Sequence, residues 1–309
     1  MLSAEKIFTG YTDVEWVLDG ISLSLKPGEI VGIVGASGVG KSTLLGCLNG
    51  ELTIQSGKIS IDGEKLKGPN EQLLPGHPSV ALVDQTFSRD LHFTVYENIY
   101  NQLLHLKRKE RIEFCDELIG IFDLEKVRDQ QSKYLSGGEQ QRLSMACALA
   151  TEPKYLLLDE PFSHLDAHLK QTIGDYLRAL IRIRNLGVLF VSHDGQEALS
   201  WSDRILLMQK NQPMKTYSPE DAYHHPENYK EGRFFGVLNK ISWHGEELMF
   251  RPTAFSLEAT TAHHRSCSVQ YKSSNFHGPY WSNLFTLEDE VEIILHAEKQ
   301  LTTVKIIYV

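Results

Sequence analysis

Over residues 1–65 the apolar positions alternate or run in short blocks between turn residues, a pattern that predicts β-structure. Ile21-Ser22-Leu23-Ser24-Leu25 repeats with period two and reads as a half-buried strand. Pro27-Gly28 then turns the chain into Glu29-Ile30-Val31-Gly32-Ile33-Val34, an apolar strand that ends in a glycine-rich loop. A helix is predicted after the loop over residues 41–49, ended near Gly50. From about residue 94 to 150 the spacing becomes helical. Val95, Ile99, Leu103 and Leu106 form one stripe, and Ile112, Cys115, Leu118, Ile119 and Phe122 form another, both read as core packing. Tyr155-Leu156-Leu157-Leu158-Asp159 and Val188-Leu189-Phe190-Val191 are continuously apolar, as strands buried on both faces are, with a helix expected between them over about 166–184. Strands alternating with helices in this way indicate a parallel sheet covered on both faces.

Near residue 236 the pattern changes again. Phe234-Phe235-Gly236 closes a short helical stretch, and strand-like segments follow at Val269-Gln270-Tyr271, Val291-Glu292-Ile293-Ile294-Leu295 and Val304-Lys305-Ile306-Ile307-Tyr308. With 309 residues, a large domain over 1–235 and a small β-barrel over 236–309 are expected. The net charge of −9 and a small domain with 6 basic against 8 acidic residues argue against a nucleic-acid partner. The basic run Lys107-Arg108-Lys109 with Arg111 is broken by Glu110 and Glu113, and reads as a solvated helix face. Cys47, Cys115, Cys147 and Cys267 are widely spaced, as expected of reduced thiols rather than a disulfide framework or zinc site. No uncharged apolar run approaches the roughly 20 residues a membrane helix needs. A role at a membrane would therefore need another chain to supply the membrane part.

The loop Gly35-Ala36-Ser37-Gly38-Val39-Gly40-Lys41-Ser42, followed by Thr43, has the form G-x-x-x-x-G-K-S between a strand and a helix. Its glycines let backbone N–H groups approach phosphate oxygens, and the start of the following helix adds its positive dipole end. Lys41 is placed to reach the β- and γ-phosphates, and the Ser42 hydroxyl to ligate Mg²⁺. Leu156-Leu157-Leu158-Asp159-Glu160 is an apolar strand ending in two acids. Asp159 would hold Mg²⁺, and Glu160 would orient or deprotonate the attacking water. A helix-capping aspartate is the structural alternative for such a strand end.

Leu135-Ser136-Gly137-Gly138-Glu139-Gln140-Gln141-Arg142 resembles the signature of the ATP-binding-cassette (ABC) ATPases, and with the loop upstream the resemblance covers nearly all of residues 1–235. It implies an α/β fold: a P-loop NTPase domain with a RecA-like core, an antiparallel β-subdomain and a helical subdomain over about 88–150. A small all-β, OB-like C-terminal domain completes the expected architecture. It further implies that Gln85, after Val80-Ala81-Leu82-Val83-Asp84, is the glutamine that touches Mg²⁺ and the water. Ser163-His164-Leu165-Asp166 resembles the D-loop at the dimer interface, and His193 in Val191-Ser192-His193-Asp194 the switch histidine at the γ-phosphate. In that family two ATPs are sandwiched in a homodimer, with Ser136, Gly137 and Gly138 of one copy completing the other copy's site. Tyr11 is the residue expected to stack on adenine, with Trp16 the second candidate.

Phe93-Thr94-Val95-Tyr96-Glu97-Asn98-Ile99 resembles the segment that meets the permease in ATPases of binding-protein-dependent importers. Ser218-Pro219-Glu220-Asp221-Ala222-Tyr223 with Pro226, Phe234-Phe235-Gly236 and Arg251-Pro252 resembles the end of the cassette and the regulatory domain in maltose, polyamine and ferric-iron importers. The short tail leans towards the iron, polyamine or thiamine-like branch. The resemblance thus implies a peripheral subunit on the cytoplasmic face of the membrane, partnered by integral permease subunits and an extracytoplasmic binding protein. An exporter subunit shares the same hydrolytic residues, and a soluble ABC ATPase of translation or DNA repair is the alternative of another class. Cys147 departs from the pattern, standing where the family usually has arginine.

Overall fold

A single inward face explains the alternation of the first strands. β1 (Leu2–Gly10) and β2 (Trp16–Leu25) pair antiparallel, and Leu2, Ala4, Ile7, Leu18, Ile21, Leu23 and Leu25 are all buried. The computed structural model describes residues 1–10, 16–73, 75–84, 90–163, 165–210, 212–259 and 265–309. The next elements are β3 (Ile30–Val34), α1 (Lys41–Asn49), β4 (Ser56–Ile61), β5 (Glu64–Lys65) and β6 (Val80–Val83). β4 and β5 extend the first sheet to the order β2-β1-β4-β5. α1 begins and ends where the sequence places it, with Gly50 at φ 79° donating its N–H to the Cys47 and Gly46 carbonyls.

Three helices follow: α2 (Val95–Gln102), α3 (Arg108–Ile121) and α4 (Gly137–Ala150). α2 carries a capping box, in which the Thr94 hydroxyl accepts from Glu97 N–H and the Glu97 carboxylate accepts from Thr94 N–H. The second predicted stripe needs one correction. α3 buries Phe114, Cys115, Leu118 and Ile119, whereas Ile112 is 37% exposed. At 3.6 residues per turn Ile112 falls on the margin of that face. Lys107, Arg108 and Lys109 are solvated as expected. Arg111 instead lies 3.6 Å over the Tyr100 ring and donates from Nε to the Tyr100 carbonyl at 2.8 Å.

β7 (Tyr155–Asp159), α5 (Ala167–Arg184), β8 (Gly187–Ser192), α6 (Gly195–Trp201), β9 (Arg204–Leu207) and β10 (Lys215–Tyr217) complete this part. The second sheet runs β10-β9-β3-β8-β7-β6, parallel except for β10 at its edge. Every residue of β3, β7 and β8 is buried, as strands covered on both faces must be. Beside the sheet, Trp201 stacks on Phe162 (5.6 Å, 25°), and Phe162 meets Phe190 edge-on. That stack fits against α5 because residue 174 is glycine: a Cβ there would lie 1.9 Å from the Trp201 ring.

Contacts divide the chain into Met1–Pro219 and Glu220–Val309, ahead of the boundary expected at residue 236. The reason lies in Arg251. This guanidinium is only 4% exposed and donates to the carbonyls of Tyr223, Gly232, Gly236 and Val237 at 2.7–3.3 Å. It ties α7 (Pro219–His224) and α8 (Tyr229–Gly232) to the β-strands after them.

Those strands are β11 (Asn239–Trp243), β12 (Glu246–Phe250), β13 (Ser266–Phe276), β14 (Trp281–Leu287), β15 (Glu292–Ala297) and β16 (Ile306–Tyr308). β11 and β12 form a hairpin, and the others an antiparallel sheet ordered β15-β14-β13-β16, a half-barrel of OB-like type. The Asn239 side chain joins the two, donating to the Ile294 carbonyl at 2.8 Å and accepting from its N–H at 2.9 Å. The three segments legible in the sequence correspond to β13, β15 and β16; β11, β12 and β14 are additional.

His296, on β15, stacks on Tyr280, which stacks in turn on His277. Burial first, and then the charge of His277, hold its pKa below the ordinary histidine value. The folded state therefore favours neutral His296, and the unfolded chain takes up the proton first as pH falls. Stability from this site is present above an unfolded pKa of about 6.5 and lost on acidification below it. The melting midpoint of the C-terminal unit is expected to fall between pH 7.5 and 5.5, more steeply than in His296→Gln. Equal slopes for the two proteins would remove His296 as the cause.

Candidate functional site

The parallel order β3-β8-β7 brings three strand ends together. The Gly35–Lys41 loop leaves β3, Asp159 and Glu160 close β7, and Ser192-His193 closes β8. Such C-terminal strand ends are where open α/β sheets bind ligands. A cleft of about 530 Å³ opens there, lined by Ser37, Gly38, Gly40, Lys41, Ser42, Thr43, Asp159 and Glu160, with Val17 at its side. Eight residues selected from two separate motifs thus share one wall.

The loop keeps its shape through its glycines. Gly40 has φ 105°, and a Cβ on it would lie 3.0 Å from the Val17 carbonyl oxygen. At Gly35 a Cβ would sit 2.4 Å from the Met208 carbonyl. Lys41 opens α1, is buried, and donates from Nζ to the Gly35 and Ala36 carbonyls at 2.8 and 3.1 Å. An ammonium has three donors, so among the described residues one is left to meet a ligand. Burial lowers the Lys41 pKa, and the nearby Glu160 and Asp159 carboxylates oppose that shift.

Asp159 shows the reverse balance. Burial raises its pKa first, with repulsion from Glu160 and Asp84 adding to it, while the Ser42 hydrogen bond and Lys41 hold it down. Carboxylates crowded against a hydroxyl suit a divalent cation. No group of three or more His, Cys, Asp and Glu side chains poised to hold a metal occurs among the described residues. A Ser42–Asp159 pair with few other protein ligands fits Mg²⁺, which is usually held by one or two carboxylates together with phosphate oxygens and water.

Glu160 adopts φ 50°, rare for a residue with a side chain. Its Oε1 lies 3.0 Å from His193 Nδ1, so the second acid and the predicted switch histidine meet directly. His193 is otherwise exposed, whereas Ser192 beneath it is buried and donates to Glu197 at 2.7 Å.

The pattern of the ABC transporter family matches residues 18–163. The sulfate/thiosulfate import ATP-binding protein CysA of Pseudomonas syringae pv. tomato is 36% identical over 247 residues, covering 78% of this chain and 74% of that protein. This chain belongs to the ABC transporter ATP-binding family. The Fe(3+) ions import ATP-binding protein FbpC of Escherichia coli O157:H7 is also 36% identical, over 72% of this chain and 64% of its own. Among solved structures, a dimeric ATP-binding cassette bound to ADP and Pi in a post-hydrolysis state aligns with a TM-score of 0.63 and 27% identity. That alignment covers 71% of this chain and 99% of that one. Like its family, the chain is an ATP-binding ATPase.

Not every predicted residue of this ABC protein joins the cleft. Ser136 and Gly137 are exposed and Gly138 half-buried at the start of α4, and none of the three lines the cleft. Ser136 is the helix N-cap, in a capping box with Glu139. Asp166, also exposed, caps α5 by accepting from Leu169 N–H at 2.9 Å. Tyr11 and Gln85 lie outside the described residues, as does His164. Trp16 packs edge-on against Phe8 at 5.6 Å. Cys147, in place of the family's usual arginine, is buried within α4. Sequence reasoning missed Gln141, whose amide donates to the Glu160 carbonyl at 2.9 Å. Its place within the signature segment was the only signal available.

Proposed function

We propose that this chain is the ATP-hydrolysing subunit of an ABC importer, in which two copies enclose two ATP molecules and drive a separate membrane permease. The reading is carried by one observation: the phosphate loop and both strand-end acids share a single cleft, in a chain whose relatives are import ATP-binding proteins. Bound ATP with Mg²⁺ would supply the electrophilic γ-phosphoryl group and neutralise its charge. Lys41 and the N–H groups opening α1 hold the phosphates, and Ser42 with Asp159 holds the metal. Glu160 accepts the proton of the attacking water while His193 fixes the carboxylate. The N-terminus of α4, with Ser136 and Gly137 exposed and Gly138 half-buried, is a surface suited to a partner copy's γ-phosphate. Gln85, Tyr11 and Asp166 keep their proposed roles at metal and water, at adenine, and at the dimer interface.

Among the described residues no helix is long and apolar enough to cross a membrane. The subunit is thus peripheral to a permease, and we place it on the cytoplasmic face, opposite an extracytoplasmic binding protein.

The test is a mild-detergent pull-down of tagged Glu160→Gln with ATP, identifying co-purifying chains by mass spectrometry. A polytopic membrane protein in stoichiometric yield is expected. Ribosomal or DNA-repair proteins, or the chain alone, would overturn the importer reading.

A further inference from the structure

Glu160 must hold its carboxylate at a fixed point, yet its own backbone resists the conformation it adopts. At φ 50° a residue with a Cβ needs its surroundings to impose the geometry. Four hydrogen bonds do so. Glu160 N–H donates to the Val191 carbonyl at 3.0 Å. Its carbonyl accepts from Ser163 N–H at 3.3 Å, from Ser163 Oγ at 3.0 Å and from Gln141 Nε2 at 2.9 Å. Val191 is on β8, next to β7, and Ser163 is in the same turn as Glu160. Only Gln141 reaches in from α4.

Gln141 is 3% exposed, and its Oε1 has no hydrogen-bond partner among the described residues. A flipped amide would set that oxygen against the Glu160 carbonyl, so the donor orientation is fixed by the contact itself. A buried amide that uses only its N–H side is costly and calls for an explanation beyond packing. Its position supplies one. Gln141 lies one turn beyond the Ser136 N-cap on the same helix, so any movement of the Ser136-Gly137-Gly138 turn reaches the Glu160 main chain through this bond.

We infer that Gln141 is a positioning residue for Glu160: its amide N–H holds the strained backbone of the base and fastens it to the helix that bears the signature turn. The inference rests on the reading of Glu160 as the base given above. Because the bond acts on geometry rather than on ATP, its loss should appear in kcat and leave nucleotide binding alone. Misplacement of a reacting group by about 1 Å can cost about a hundredfold in rate.

The experiment compares steady-state ATPase kinetics and ATP affinity in wild type, Gln141→Met and Glu160→Gln. Methionine keeps the length of the side chain and removes the donor. Gln141→Met is expected to lower kcat by about tenfold or more, with ATP affinity within about twofold of wild type. A kcat near the wild-type value would overturn the inference, as would a loss of affinity matching the loss of rate. If Gln141→Met does not fold, Ser163→Ala decides, since it removes a second donor from the same carbonyl at an exposed position. It must then lower kcat by about threefold or more at unchanged affinity, and a wild-type rate overturns the inference. Full activity in Glu160→Gln would instead mean that the assignment of the base has failed.

Discussion

Glu160→Gln is expected to lower kcat for ATP hydrolysis by about 10²–10⁴-fold, the range a positioned general base contributes, while ATP still binds. The amide keeps the size of the side chain and can still pair with His193 Nδ1, 3.0 Å from the carboxylate in the wild type. It cannot take a proton from water. Affinity should persist because Lys41, Ser42 and the glycine loop are untouched, and Asp159 loses the repulsion that Glu160 exerts on it. Without turnover, the ATP-bound dimer should accumulate and appear as a doubled mass in size-exclusion chromatography with ATP. Wild-type turnover in this variant would require another base.

A large effect on stability is expected at Arg251. Arg251→Met leaves the Tyr223, Gly232, Gly236 and Val237 carbonyls without their common donor. A buried polar group without its partner costs about 1–3 kcal/mol. With some of the carbonyls regaining water, a loss of about 3–5 kcal/mol is anticipated, a large share of the roughly 5–15 kcal/mol that separates native from unfolded domains. At about 4–8 °C per kcal/mol for a unit of this size, calorimetry should show the C-terminal transition lowered by more than about 12 °C. The transition of residues 1–219 should hardly move. Arg251→Lys should recover only part of the loss, because a point-like ammonium cannot reproduce the guanidinium fork. An unshifted C-terminal transition in Arg251→Met would show that the clamp carries no stability.

The contrast between the two units shows which information a sequence holds locally. In the ATPase unit, α1 and β7 were legible to the residue, because glycine termini and unbroken apolar runs are local signals. In the C-terminal unit β14 went unread, because one of its two fully buried inward positions, beside Phe285, is Asn283, which breaks the apolar alternation. That amide donates to the Leu295 carbonyl and accepts from Leu301 N–H and Ser274 Oγ, so the strand is held by polar groups that periodicity does not register. β12 opens with Glu246-Glu247 and was hidden for a similar reason. At the site, the loop and the acids were visible as motifs, as was His193. The Gln141 bond and the left-handed backbone of Glu160 were not, since both depend on how α4 meets the end of β7.

Gly174 also constrains how this chain can change. Glycine within a helix is less stable than alanine by about 1 kcal/mol, so drift alone would favour a larger residue in the middle of α5. Trp201 opposes it, since a Cβ at 174 would lie 1.9 and 2.1 Å from two carbons of the indole ring. The two positions can therefore exchange volume only in one order, with residue 201 shrinking before residue 174 grows. Descendants of this sequence should retain glycine wherever they retain the tryptophan, and an alanine at 174 should mark lineages that had already lost it.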